Sequence, residues 1–176
     1  GLIAGTYPDR VAQLALIDGY VPMPSEADDA AKQLKRAIRE NKRFANSQPT
    51  FFPDFEKAIQ ARVKGFVPLQ QEAAALLAKR GVSEGSKGFY WANDQRLKAA
   101  SFVKFSKDYL EGFFTSILAR VLMIQAENSA LSPGRQQNAL FEWVRHMEIQ
   151  KVSGSHHLHL EGEAEDVARL IQRFLV

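Results

Sequence analysis

Cysteine is absent from the 176-residue sequence. That absence removes disulfide staples, thiolate nucleophiles and cysteine-ligated zinc or iron–sulfur centres from the chemistry open to the chain, and it accords with a reducing cytoplasm, the expected location. The opening Gly1-Leu2-Ile3-Ala4-Gly5-Thr6-Tyr7-Pro8 has neither the basic start nor the apolar core of a signal peptide. No apolar run approaches the length of a membrane span. Charge of one sign is scarce: 23 basic against 20 acidic residues leave a net charge of +3, spread along the chain, so no basic face suggests a nucleic-acid partner. What is present is 45% hydrophobic and 24% charged residues, enough to build an ordinary folded domain with its own core.

Residues 2–7 read as the tail of a helix, stopped by Pro8. Val11-Ala12-Gln13-Leu14-Ala15-Leu16-Ile17 follows, a nearly continuous apolar run closed by Asp18-Gly19, which suits a strand covered on both faces of a parallel sheet. Two further strands are expected at Arg120-Val121-Leu122-Met123-Ile124-Gln125 and at Met147-Glu148-Ile149-Gln150-Lys151-Val152. A crossover helix over 133–144 would join them as a βαβ unit, and Val167, Leu170, Ile171 and Phe174 space a last helix over 163–174.

The long middle has helical periods and no expected strand. Ser25-Glu26-Ala27-Asp28 has the form of a capping box ahead of Ala31, Leu34 and Ile38. Pro53 opens a helix carrying Phe55, Ile59 and Val63, and Leu69, Ala73, Leu76 and Leu77 mark another. A glycine-rich loop is expected over 81–88, ahead of Phe89-Tyr90-Trp91. Ser106 then caps a helix with Leu110, Phe113, Phe114 and Ile117 on one side. Strand, helical insertion, strand, helix, strand and helix together describe an α/β sheet interrupted by a helical domain. Three parallel strands leave faces and an edge to be covered, so more of the sheet is expected upstream.

Two segments carry a family resemblance. Tyr7-Pro8-Asp9-Arg10-Val11 running into Leu14-Ala15-Leu16-Ile17-Asp18-Gly19, and Gly154-Ser155-His156-His157-Leu158-His159-Leu160-Glu161 running into the last helix, together resemble the α/β-hydrolase family. Trp91 with Asp94-Gln95-Arg96-Leu97 is similar to the lid of its serine hydrolase-like members. The resemblance implies the C-terminal part of an α/β-hydrolase parallel sheet, with residues 1–20 and 116–176 in the sheet domain and 21–115 as a large helical lid. It places the nucleophile elbow, G-x-S-x-G, on the order of ten residues before Gly1, so nucleophile and oxyanion donors are expected in an N-terminal half outside this chain.

The same resemblance makes His156 the general base, in a loop after a strand where an open α/β sheet presents groups to a ligand. The family's usual acid position falls at Ser129, preceded by Glu127 and Asn128. Asp18 matches an alternative acid site used by some haloalkane dehalogenases and is the expected triad acid, with Glu127 as the alternative. His157 and His159 beside His156 raise a metal site, but they sit in a loop whose family counterpart binds none, so no metal and no cofactor are expected. His159 is expected to pack or hydrogen-bond and His146 to be solvated.

Gly81-Val82-Ser83-Glu84-Gly85 matches the elbow pattern literally, yet without the strand before it and helix after it that would expose the serine, so it reads as a lid loop. The aromatic residues of the middle suit a lid core and an apolar substrate pocket. The implied activity is hydrolysis of an ester or related small lipophilic substrate. The alternatives are a dehalogenase or epoxide hydrolase with an aspartate nucleophile, and a non-catalytic binding relative.

Overall fold

The structure, a computed structural model, describes residues 1–19, 21–129 and 142–176. Its organising strand is β5 (Arg120–Ala126), whose residues are buried throughout except Arg120. Such a run is stable only between two neighbours and beneath two covering layers. β1 (Gln13–Ile17) lies parallel to β5 on one side, with Leu14 opposite Val121, and β6 (Met147–Val152) lies parallel on the other, with Ile124 opposite Gln150. Three short strands give the order β1-β5-β6. The first begins two residues later than its apolar run, because Pro8–Arg10 forms a 3₁₀ turn and leaves Val11 as its extended exit.

Alternation along β5 sends Val121 and Met123 to one face and Leu122, Ile124 and Ala126 to the other. The first face is covered by α1 (Leu2–Thr6) and α5 (Lys107–Thr115), with Ala4, Leu110, Phe114 and Ile117 buried there. An added Cβ on Gly5 would stand 2.0 Å from the carbonyl oxygen of Phe113, so glycine is what lets these two helices touch. Trp143 and Val144 complete this layer, the indole lying 6.4 Å from the Phe114 ring. The rest of the expected crossover helix, 133–141, lies outside the described residues. The second face is covered by α6 (Ala164–Leu175), through Val167 and Phe174, and by Leu158.

The chain divides into two compact units, residues 1–26 with 105–176 and residues 27–104. The division falls at these points and not at 20 and 115, because α5 packs its apolar side into the sheet's own core. The chain's exit to the second unit and its return are tied by the Ser25 N–H donating to the Phe105 carbonyl at 2.9 Å.

The second unit contains α2 (Ala30–Ala45), α3 (Phe55–Val63) and α4 (Gln71–Gly81), and also strands that the sequence reading omits. β2 (Phe51–Phe52), β4 (Gly88–Trp91) and β3 (Val82–Gly85) form an antiparallel sheet in the order β2-β4-β3. The expected glycine-rich loop is therefore a hairpin: Ser86-Lys87 makes its turn, and Gly88 takes the positive φ of +111° that a side chain would resist. The capping box is not formed. A 3₁₀ turn at Ala27–Asp29 leads into α2, and Asp29 makes no side-chain cap. No described helix is long and apolar enough to cross a membrane.

Candidate active site

Parallel strands end together, so β1, β5 and β6 deliver Ile17, Ala126 and Val152 to one edge of the sheet. The residues that follow them lie at the carboxyl ends, the usual place for a ligand in an open α/β sheet. β1 and β6 are two strand spacings apart, about 10 Å. A short side chain after one can meet a side chain after the other only by reaching over the end of β5. That is what Asp18 and His156 do.

Asp18 continues the β1 ladder by donating its N–H to the Ile124 carbonyl at 2.7 Å, then turns with a φ of +43°, a region that aspartate and asparagine tolerate better than other side chains. Its carboxylate is sealed from solvent. Oδ1 accepts the Ala126 N–H at 3.1 Å, while Oδ2 accepts the Ser129 hydroxyl at 2.5 Å and faces His156 Nδ1 at 2.7 Å. An ionised carboxylate only accepts hydrogen bonds, so Nδ1 of a neutral His156 carries its proton and Nε2 holds the lone pair. The imidazole is 22% exposed against 0% for the carboxylate, so one partner is anchored and the other is open to a substrate.

The loop bearing His156 has its own supports. Gly154 takes a φ of +126°, and a Cβ there would stand 2.7 Å from the Glu163 carboxyl carbon and 2.9 Å from Leu158 Cδ2. Ser155 donates its hydroxyl to Glu161 at 2.5 Å and accepts the His157 N–H at 3.2 Å. Asn128 donates its N–H to the Gly154 carbonyl at 3.0 Å, which joins the loop after β5 to the loop after β6.

The chain is 34% identical to a hypothetical protein of Pseudomonas aeruginosa PAO1, whose crystal structure it matches with a TM-score of 0.90 over 99% of this chain and 62% of that one. It is 25% identical, over 185 aligned positions, to a serine hydrolase-like protein of Danio rerio, covering 99% of this chain and 56% of that protein. The thioesterase domain from the curacin biosynthetic pathway, 18% identical, matches its fold with a TM-score of 0.79 over 97% of this chain and 61% of that one. No family model matches. The chain has the α/β-hydrolase fold.

The chain spans 56–62% of the length of those three proteins. Of its expected site residues, the fold brings His156 and Asp18 together and leaves Glu127 with an exposed side chain, its backbone N–H donating to the Val152 carbonyl at 3.0 Å. The rings of His156 and His157 lie 5.0 Å apart and those of His157 and His159 lie 6.4 Å apart, edge to face. His159 is exposed, as is His146. Among the described residues no group of three or more histidine, aspartate or glutamate side chains is disposed to hold a metal ion. Ser83 sits inside strand β3, after a helix and before a hairpin, the reverse of an elbow's setting. The sequence reading missed the donation from Ser129 to Asp18 and the support of Ser155 by Glu161. The only sequence signal of the first is that a serine occupies the family's usual acid position.

Proposed function

We propose that this chain supplies the acid and base of a serine-type hydrolase acting on an ester or thioester of a small lipophilic acid. An N-terminal half of the same hydrolase supplies the nucleophile and the oxyanion donors. The observation that carries the reading is the 2.7 Å contact between His156 Nδ1 and the buried Asp18 Oδ2. With Nδ1 committed to the carboxylate, Nε2 is the free base. It takes the proton of a serine hydroxyl as that oxygen attacks the acyl carbon, and returns it to the departing alkoxide or thiolate. Water then repeats the cycle on the acyl-enzyme, and Asp18 stabilises the imidazolium in both halves. The separate unit of residues 27–104 stands in the chain where such hydrolases carry their lid.

Asp18 is also where some haloalkane dehalogenases carry their acid, so an aspartate nucleophile and a halide or epoxide substrate form the second reading. Assays of the complete protein distinguish them: p-nitrophenyl butyrate is hydrolysed with an acyl-enzyme burst under the first reading, and 1-bromobutane releases bromide under the second. His156→Ala is expected to abolish nearly all ester turnover. His157→Ala and His159→Ala retain most of it, and a chelator leaves it unchanged. Full turnover by His156→Ala would remove the base from the mechanism.

A further inference from the structure

Two donors share one carboxylate oxygen. Ser129 Oγ lies 2.5 Å from Asp18 Oδ2, the same atom that faces His156 Nδ1 at 2.7 Å, while Oδ1 is occupied by the Ala126 N–H. Charge-assisted hydrogen bonds of this length are among the stronger ones, and a buried carboxylate held at both oxygens has no freedom to rotate away from its imidazole. The hydroxyl does a second thing. By donating to Oδ2 it draws negative charge from the oxygen that faces the ring, which limits how strongly that oxygen stabilises an imidazolium.

We propose that Ser129 is a positioning residue of the acid–base pair, holding Asp18 toward His156 and sharing the charge of the oxygen that faces it. Its role rests on Asp18 and His156 acting as proposed above. Among the described residues, the other titratable groups around His156 are the His157 ring, Glu161 on the Ser155 hydroxyl and Glu163 beside Gly154.

The test uses the complete protein and p-nitrophenyl butyrate, with kcat and KM followed across pH. Ser129→Ala is expected to lower kcat about tenfold, the loss of one charge-assisted hydrogen bond, and to leave KM within about twofold. With more charge left on Oδ2 the imidazolium is favoured, so the acidic limb of kcat/KM moves to higher pH. Ser129→Thr, which keeps the hydroxyl, restores both. Asp18→Asn is run beside them. If Asp18→Asn is crippled while Ser129→Ala keeps the normal kcat and acidic limb, the role of Ser129 is refuted and the triad stands. A Ser129→Ala enzyme that loses kcat together with its melting temperature, without movement of the limb, has lost only structure, and that also refutes it. A fully active Asp18→Asn enzyme overturns the triad and the inference together.

Discussion

At the scale of single residues the site depends on backbone positions as much as on side chains. Asp18 sits at a φ of +43°, which asparagine also tolerates, so Asp18→Asn keeps the turn while most other replacements would add strain to it. The amide can keep its oxygen on the Ala126 N–H, but its NH₂ then faces Nδ1 and forces the histidine into the tautomer whose Nε2 carries a proton. Turnover in the complete protein is expected to fall by up to ~10⁴, as it does when a triad aspartate is neutralised elsewhere. Glu127→Gln, on an exposed side chain, is expected to stay near normal. Steady-state kinetics of both at one pH, with circular dichroism as the folding check, decide between the two acids. A large defect in Glu127→Gln beside a normal Asp18→Asn would move the acid to the loop after β5. His156 and Asp18 were legible because each stands at a strand end within a family motif. The Ser129 contact was not, since a hydroxyl's partner depends on how two loops 111 positions apart in sequence come to face each other.

At the scale of elements, legibility follows length and burial. β5 could be read because a strand buried on both faces is a continuous apolar word, and β6 because it alternates. β2, β3 and β4, of two to four residues, are too short to show a period, and their glycines look like a loop. Helix α4 misled in another way. Its leucines stood out in sequence, but Leu76 is exposed and the buried stripe is Ala73, Ala74 and Ala78, with Ala58 of α3 equally buried, because small side chains let two helices approach closely. The central strand carries the most concentrated stabilisation. Leu122, 1% exposed, packs on the α6 side among Ile124, Leu158, Val167 and Phe174. Leu122→Ala is expected to destabilise by about 2–5 kcal/mol, from lost burial plus the cavity left behind. Urea unfolding of the complete protein reads this directly, and a change under about 1 kcal/mol would mean that the face is less tightly packed than described.

At the scale of the whole molecule each unit carries its own tryptophan, Trp143 beneath the sheet and Trp91 in the antiparallel hairpin, where its indole N–H donates to the Ala58 carbonyl at 3.0 Å. The second unit also carries two acid-sensitive carboxylates. The Arg36 side chain and then the Ala100 N–H hold the Glu40 carboxyl below its usual value of 4.5, and the Arg96 side chain beside Asp94 lowers that carboxyl from 3.8 to about 2. A carboxylate lowered by folding stabilises the protein above its unfolded value, and that contribution is lost as pH falls through the folded one. The Asp94–Arg96 pair is exposed, so its share is small. Glu40 instead joins α2 to the Ala100 backbone, with bonds of 2.8 Å on each oxygen, so its ionisation is tied to the packing of this unit. When unfolding of residues 27–104 is followed by hydrogen exchange in urea, its midpoint is expected to fall from pH 6 to pH 3. Adding Glu40→Gln, which can still accept the Ala100 N–H but has no charge to lose, is expected to make that fall shallower. Every other carboxylate is common to both proteins, so the difference between the two curves belongs to Glu40, and identical curves would show that its charge contributes nothing to the unit's stability.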